Sequence, residues 1–377
     1  MIAKVLVLLQ EKKYALVKQA VLEMNAVDIA EVFAELHELE APQTALRLFR
    51  LMPKELAAET FSYMESDVQQ SIIEAISDNE LRFILDDMYM DDYVDLIEEM
   101  PANVVKRLLA NSSDENRKLI NEYLQYPEDS AGSIMTNEYV YFRRNVTVRE
   151  AFDIIRKTGV DKETIYTCYV ISTERKLEGV VTVRELLLAD PNAAVDTIMS
   201  TNVIHAHTLD DKEEIAKLFS RYDMLSLPVV DKEERLVGII TIDDAVDVMQ
   251  EANTEDFEMM AGIAHSDDTY LKMPVVSLAK NRIIWLLVLM FSAMITGAML
   301  EHYEAAIATL PLLVSFIPML MDTGGNCGSQ ASTMIIRGMA LDEIEPSDFL
   351  RVWWKEIRVA LLCGGTLSVV NFVRIYL

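Results

Sequence analysis

Five of the six carboxylates in residues 244–258 are spaced 3, 4, 4 and 3 apart: Asp244, Asp247, Glu251, Glu255 and Glu258. On a helix they share one face, and like charges at these spacings cost about 0.2–0.5 kcal/mol per pair. Such a segment frays or bends unless cations sit between the carboxylates, so a divalent metal can decide whether it is straight. A solvated acidic face is the plainer reading of any single residue; the place of the stripe just before an apolar segment favours metal.

Other ligand-bearing residues are more scattered. Asp87, Asp91, Asp95 and Glu98 form a similar stripe that only the excess of charge separates from an exposed helix face, a weaker metal candidate. Asp211, Glu213 and Asp223 add carboxylates, although Asp210-Asp211 sits where a helix should start and capping explains it as well as metal does. His205 and His207 alternate on an expected strand and so share a face, the spacing of a transition-metal pair or of ordinary surface residues.

A third constellation reads Met321-Asp-Thr-Gly-Gly-Asn-Cys-Gly-Ser-Gln-Ala-Ser-Thr333, too polar to face lipid although it follows an apolar run. If helical, Asp322, Asn326, Ser329, Gln330 and Thr333 line one face while Gly324, Gly325 and Gly328 permit close packing. Carboxylate and amide oxygens suit a hard cation, and Mg²⁺, which gives up its waters reluctantly, would pass there hydrated. Asp322, Gly325, Asn326 and Gln330 are the pore candidates; a satisfied buried Asp in a glycine-rich helix contact is the alternative.

No nucleophile with a base, zinc-protease helix, phosphate-binding loop or dinucleotide fingerprint is present, and the chain is not read as an enzyme. The three cysteines are far apart with no C-x-x-C spacing, which implies neither a zinc site nor a disulfide framework and fits a reducing compartment.

The elements that must carry these residues change character along the chain. Half of the 377 residues are apolar and the net charge is −27, yet from Leu278 on there are 7 Lys+Arg against 8 Asp+Glu, so nearly all the negative charge precedes the apolar region. That surface attracts cations and repels nucleic acid and anionic lipid headgroups. Residues 1 to about 125 show helical apolar spacing with a weak repeat, Leu48-Phe-Arg-Leu-Met-Pro53 echoed by Leu96-Ile-Glu-Glu-Met-Pro101, which reads as stacked short helices.

Strands and helices then alternate with a clear duplication: Ser133-Ile-Met-Thr136 matches Thr197-Ile-Met-Ser200, and Gly179-Val-Val-Thr-Val183 matches Gly238-Ile-Ile-Thr-Ile242. This resembles a tandem pair of cystathionine-β-synthase (CBS) domains. In such pairs nucleotides meet the position of Arg184 and Glu185, which makes ATP a candidate ligand despite the lack of a glycine-rich loop.

Ile283–Leu300 is uncharged and long enough to span a bilayer; Ala305–Met321 is a second uncharged run, and Val359–Val373 a third apolar stretch. Lys280 and Arg282 before the first span, and Arg337, Arg351, Lys355 and Arg358 after the second, place both flanks in the cytosol. The apolar run Val5–Leu9 is too short for a signal peptide, so the N-terminus is expected there too.

Taken in this order, the chain resembles the MgtE magnesium transporters over essentially its whole length, with Tyr126-Pro-Glu-Asp-Ser-Ala-Gly-Ser-Ile-Met-Thr136 and Met321-Asp-Thr-Gly-Gly-Asn326 as the characteristic segments. The resemblance implies an all-α superhelical N-domain (1–127), an α/β CBS pair (128–194 and 195–252), an acidic connecting helix (253–279) and an α-helical membrane segment (280–377). It implies a homodimeric, multi-pass protein of the plasma membrane with its N-terminal domains in the cytoplasm, in contact with lipid, admitting Mg²⁺ passively and closed by intracellular Mg²⁺. Regulatory metal is expected near Asp91, Asp95, Asp211, Glu213, Asp223, Asp244, Asp247, Glu255 and Asp256, and hydrated pore metal near Asn326; position 322 varies within the family. The family has five membrane helices, so a chain ending in the third is expected to be a fragment that does not conduct. The alternative from another class is a membrane-tethered CBS module that binds adenine nucleotide and transports nothing.

Overall fold

Short apolar helices punctuated by residues that favour extended backbone open the chain. The computed structural model describes residues 1–266, 270, 273–304, 314, 316–341 and 343–376. Its contacts divide into two units, Met1–Met249 and Gln250–Leu377.

The first unit begins with helices α1 (Ile2–Gln10), α2 (Tyr14–Val21), α3 (Ala26–Glu38), α4 (Pro42–Leu51), α5 (Lys54–Ser62), α6 (Ser66–Ala75), α7 (Asp78–Asp87), α8 (Met90–Glu99), α9 (Ala102–Asn111) and α10 (Asp114–Tyr123). None exceeds 13 residues, too short to be stable alone, so tertiary packing of their apolar faces must hold them. Helices two apart in the chain touch, α3 with α5, α5 with α7 and α7 with α9, which produces a superhelical stack. Pro53 and Pro101, the prolines of the echoed segments, sit in extended backbone immediately before α5 and α9. Phe33, Phe49 and Phe61 meet edge to face at 6.2 and 6.5 Å between centroids, the geometry the ring quadrupole favours. Asp87 closes α7 and Tyr89 is extended before α8, so Asp87 is not on the face that carries Asp91 and Asp95; the four-residue stripe read from spacing is broken after its first member.

The duplicated region forms two three-stranded sheets. In one, β1 (Tyr139–Arg143) runs parallel to β2 (Thr164–Ile171), which pairs antiparallel with β3 (Leu177–Thr182). In the other, β4 (Ala206–His207), β5 (Ser226–Val230) and β6 (Leu236–Thr241) repeat that order and those directions. Helices α11 (Val148–Thr158), α12 (Val183–Leu188), α13 (Lys212–Tyr222) and α14 (Ile242–Met260) complete the two copies. Each copy is laced to the other by the segment that leads into it. Thr136 exchanges backbone hydrogen bonds with Ile239, and Ser200 with Val180. The repeated Met-Thr and Met-Ser pairs thus cover the repeated glycines: a Cβ on Gly238 would lie 2.7 Å from Met135 Sδ and 3.0 Å from the Thr136 carbonyl, and one on Gly179 2.7 Å from Met199 Sδ and 2.9 Å from the Ser200 carbonyl. Tyr139, Tyr169, Ile171, Leu236 and Ile239 fill the space between the sheets, with the Tyr139 hydroxyl donating to the Leu236 carbonyl at 3.2 Å.

The helical stack and the CBS pair share a core. One apolar cluster runs from Val5 through Tyr123 and Ala131 to Phe219 and Val248 of the second copy, while the first copy keeps its own around Phe142, Val170 and Leu186. The Tyr126–Gly132 segment makes this joint. Tyr126 lies flat over Gly132, where a Cβ would be 2.4 Å from the ring. The Ala131 and Gly132 N–H groups donate to the carbonyls of Asp210 and Thr208, and Ser130 and Ser133 bond back to Pro127 and Glu128.

In the second unit, α15 (Val275–His302) starts eight residues before the uncharged run and has no buried residue. It and Pro346–Arg374 are the two described helical stretches long and apolar enough to cross a membrane. The stretch Val359–Val373 lies within the helix Phe349–Tyr376. Of the uncharged run Ala305–Met321, residues 305–313 and 315 lie outside the described residues. The connecting helix differs from expectation: α14 begins at Ile242, directly after β6, and stops before Gly262, whose φ of +67° suits a residue without a Cβ. A single helix over 253–279 is therefore not formed.

Substituting Gly179 or Gly238 by Val should cost about 1–3 kcal/mol through overpacking, read as a lower thermal midpoint; a midpoint unchanged in both variants would show that the lead-in segments are free to move away.

Candidate metal centre

Helix α8 starts at Met90, so Asp91 and Asp92 occupy its first turn, where the helix dipole favours negative charge. That small benefit is overwhelmed by what surrounds them. Burial holds the Asp91 carboxyl well above the usual carboxylate range, and Asp244, Asp92 and Glu163 push it further, opposed only by a hydrogen bond from the Asp92 backbone. Its Oδ1 is buried without a hydrogen-bond partner.

The same pattern extends outward. Asp92 is raised by burial and by Asp243, against a hydrogen bond from Ser62. Asp95, one turn on and still in contact with solvent, is pushed up to about 7 by burial and then by Asp92, Glu98 and Asp244. Glu163 is pushed to about 8 by burial and by Asp243, Asp244, Asp92 and Glu138, and its Oε2 is also buried and unpartnered. Asp244 sits in the first turn of α14 and accepts from the Thr241 hydroxyl at 2.6 Å; burial nevertheless raises it to about 6, with Asp243 and Asp92 adding to the shift. Asp247, on the next turn, is raised by burial and Asp243. Among the described residues a cation, Lys212, acts at the margin, on Glu98, while Glu128 repels it.

Carboxylates gathered against one another with two buried oxygens left bare cost folding energy unless protonated or metal-bound. A set of only hard oxygens, with no nitrogen or sulfur, fits Mg²⁺ or Ca²⁺ rather than a softer ion. The structure therefore brings together Asp91, Asp95 and Asp244, with Asp247 beside them, from helices about 150 residues apart in the chain. It also recruits Asp92, Glu163, Asp243 and Glu138, which spacing did not single out. Asp243 neighbours a candidate and Asp92 another, but Glu163 lies in a short link before β2 and carries no local signal.

Other candidates have different surroundings. Asp211 caps α13, accepting from the backbone N–H groups of Glu213 and Glu214 at 2.9 and 3.2 Å. Asp223 ends the same helix in the left-handed region, φ 51°. Flanking an 11-residue helix, the two stand about 18 Å apart along its axis, so within one chain Asp211 and Asp223 cannot hold the same ion. Glu185 is engaged in a capping box, its carboxylate accepting from the Thr182 N–H at 2.7 Å, and Arg184 is exposed. Glu255 and Asp256 are half-buried on the last turns of α14, where Glu258 meets His265 Nδ1 at 2.7 Å.

The polar segment forms one unbroken helix, Ile317–Ala340. Asp322, Asn326 and Gln330, each four residues from the next, are exposed near one face, and a Cβ on Gly324, Gly325 or Gly328 would meet nothing within 4 Å among the described residues. Near its end Arg337 Nη1 donates to Asn253 of α14 at 3.3 Å.

A superhelical stack joined to a CBS pair, carboxylates crowded into the joint and helices long and apolar enough to cross a membrane point to the class of divalent cation transporters. Residues 24–129 match the family described as MgtE intracellular N domain, 131–192 and 195–251 the CBS domain, and 317–377 the family described as divalent cation transporter. The magnesium transporter MgtE of Thermus thermophilus is 35% identical over 98% of this chain and 84% of its own length, and that of Bacillus subtilis 30% identical over 98% and 80%. The crystal structure of the cytosolic domain of the Mg²⁺ channel MgtE in complex with ATP is 34% identical, with a TM-score of 0.61, over 66% of this chain and all of that one. The chain belongs to the MgtE family of magnesium transporters.

Raised carboxylate values make the apo protein sensitive to alkali. The folded state holds protons that an unfolded chain releases near pH 4, so this stability is complete below about 4 and is lost as pH rises through the folded values of about 6 to 8. In chelator, the thermal midpoint of the first unit's transition should therefore fall between pH 5 and 8, and saturating Mg²⁺ should flatten that slope. Asp91→Asn should raise the chelator midpoint at pH 8 and shrink the shift that Mg²⁺ produces; a slope of opposite sign would contradict the crowding.

Proposed function

We propose that this protein admits Mg²⁺ passively through a pore lined by the Ile317–Ala340 helix and that intracellular Mg²⁺ closes it by binding in the acidic joint. The observation that carries the reading is the buried, unpartnered Asp91 carboxylate facing Asp244 across the joint of the helical stack and the CBS pair. With Mg²⁺ abundant, the ion screens Asp91, Asp95, Asp244 and Asp247 and holds the joint closed. With Mg²⁺ scarce, repulsion opens it. Asp244 and Asp247 lie on α14, and Asn253 of the same helix bonds to Arg337 at the end of the polar helix, so a movement of α14 has a direct route to the pore. Glu255 and Asp256 extend the acidic face along that route.

The pore face itself supplies Asp322, Asn326 and Gln330 for a hydrated ion, and its open glycine edge at Gly325 suits approach by a second copy in a homodimer. Positive charges at Lys280, Arg282, Arg351, Lys355 and Arg358 support a multi-pass plasma-membrane protein whose first unit is cytoplasmic. The solved relative with ATP supports nucleotide binding at the CBS pair, near Arg184 rather than through the already engaged Glu185 carboxylate.

Reconstituted in liposomes, the protein carried through the five membrane helices that the resemblance implies should admit Mg²⁺ down its gradient, and flux should fall as Mg²⁺ rises on the side of the first unit. Asp91→Asn and Asp244→Asn should each shift that inhibition to at least several-fold higher Mg²⁺ while leaving maximal flux unchanged; inhibition unmoved by both variants would refute the joint as the sensor.

A further inference from the structure

The second CBS copy carries a ligand set of a different chemistry, apart from the acidic joint. Two of the five histidines, His205 and His207, flank Ala206 at the start of β4, their ring centroids 5.5 Å apart. Glu234, in the turn between β5 and β6, brings Oε2 to 3.5 Å from His205 Nε2. One ligand atom from each of the three residues lies within 4.8 Å of the others.

We infer that His205, His207 and Glu234 form a binding site for a borderline transition-metal ion of the Zn²⁺ class. Zn²⁺ takes imidazole nitrogen and carboxylate oxygen at about 2.0–2.2 Å and accepts three protein ligands plus water. Ligand atoms around such an ion stand about 3.3–3.5 Å apart, so one contact already has the right length and the exposed His207 ring needs only a small rotation to supply the third. His205 is also oriented for the task. Its Nδ1 lies 3.2 Å from the Val203 carbonyl, which can only accept, and its Nε2 faces Glu234; a ring held through one nitrogen with the other turned to the ion is the arrangement that metal-ligating histidines use. The His207 backbone N–H is held by the Asp210 carboxylate at 2.7 Å, which fixes the strand that presents both rings.

The duplication provides an internal comparison. Matching strand registers put Phe142 opposite Val170 in one copy and Ala206 opposite Val229 in the other. His205 and His207 thus correspond to Tyr141 and Arg143, and Glu234 (φ 63°) to Arg175 (φ 67°) in the equivalent turn. The fold accepts a non-ligating set there, so the three ligand residues are not demanded by the architecture. Occupancy also reaches the contact between copies: the Glu234 carbonyl accepts from Leu177 N–H at 3.1 Å and the Arg175 carbonyl from Leu236 N–H at 2.9 Å. An ion tying β4 to residue 234 braces that junction.

The full chain in detergent, with the acidic joint saturated by Mg²⁺, would be titrated with Co²⁺ as a visible-absorption probe and then with Zn²⁺ as competitor. A single saturable site with nitrogen-ligand bands, displaced by Zn²⁺, is expected. His207→Arg, which installs the residue of the first copy at an exposed position, should weaken it by at least about tenfold, since loss of a group that merely orients a ligand already costs about 10- to 100-fold. His205→Ala should do the same, whereas Asp91→Asn and Asp244→Asn should leave it unchanged. Absence of saturable binding under excess Mg²⁺, or binding indifferent to both histidine variants, would overturn the assignment.

Discussion

Like-charged carboxylates pressed into an interface where, among the described residues, a cation acts only at the margin, Lys212 on Glu98, set the character of this molecule. Asp91 and Glu163 each leave an oxygen buried without a partner, and their neighbours Asp92, Asp95, Asp243 and Asp244 add repulsion rather than relief. An interface of this kind is closed only when something outside the chain, proton or metal, supplies positive charge. The rest of the first unit holds the two sides near enough for that question to matter.

The shared apolar core does the holding. Because the cluster that begins in the helical stack continues through Ala131 and Met135 into the second CBS copy, the stack is anchored at the Tyr126–Gly132 segment while α8 faces the first turn of α14. The first CBS copy, with a separate core, contributes Glu163 from the link before β2. Attraction at one place and repulsion at another is how a two-state element can be biased by a ligand. On the proposed reading α14 transmits the result, since the helix that carries Asp244 at its start bonds through Asn253 to Arg337.

Duplication followed by divergence explains why the inferred histidine site belongs to one copy alone. Both copies keep the Met–Gly contacts that lace them together, Met135 on Gly238 and Met199 on Gly179, because the lead-in segments hydrogen-bond to β6 and β3 at that close approach. The edges away from this contact are free to differ. One copy presents Tyr141, Arg143 and Arg175 where the other presents His205, His207 and Glu234; two guanidinium groups with no lone pair to offer stand in the first set, imidazole nitrogens and a carboxylate in the second.

Periodicity and repeated words in the sequence were enough for the stacked helices, the CBS pair, the acidic face of α14 and the polar helix at Ile317–Ala340, because these depend on spacing within one element. The cap at Asp211 was one of two readings that spacing allowed, and the contacts two and three residues on show it formed. What spacing could not show is which carboxylates meet. Asp91 and Asp244 are brought together by packing of elements distant in the chain, Glu163 joins them from a link without a motif, and Asp87 leaves the stripe because Tyr89 is extended. A helix face is written locally, whereas burial, desolvation and the company of other charges arise only when separate faces close on each other, and it is these that turn an ordinary acidic surface into a candidate sensor.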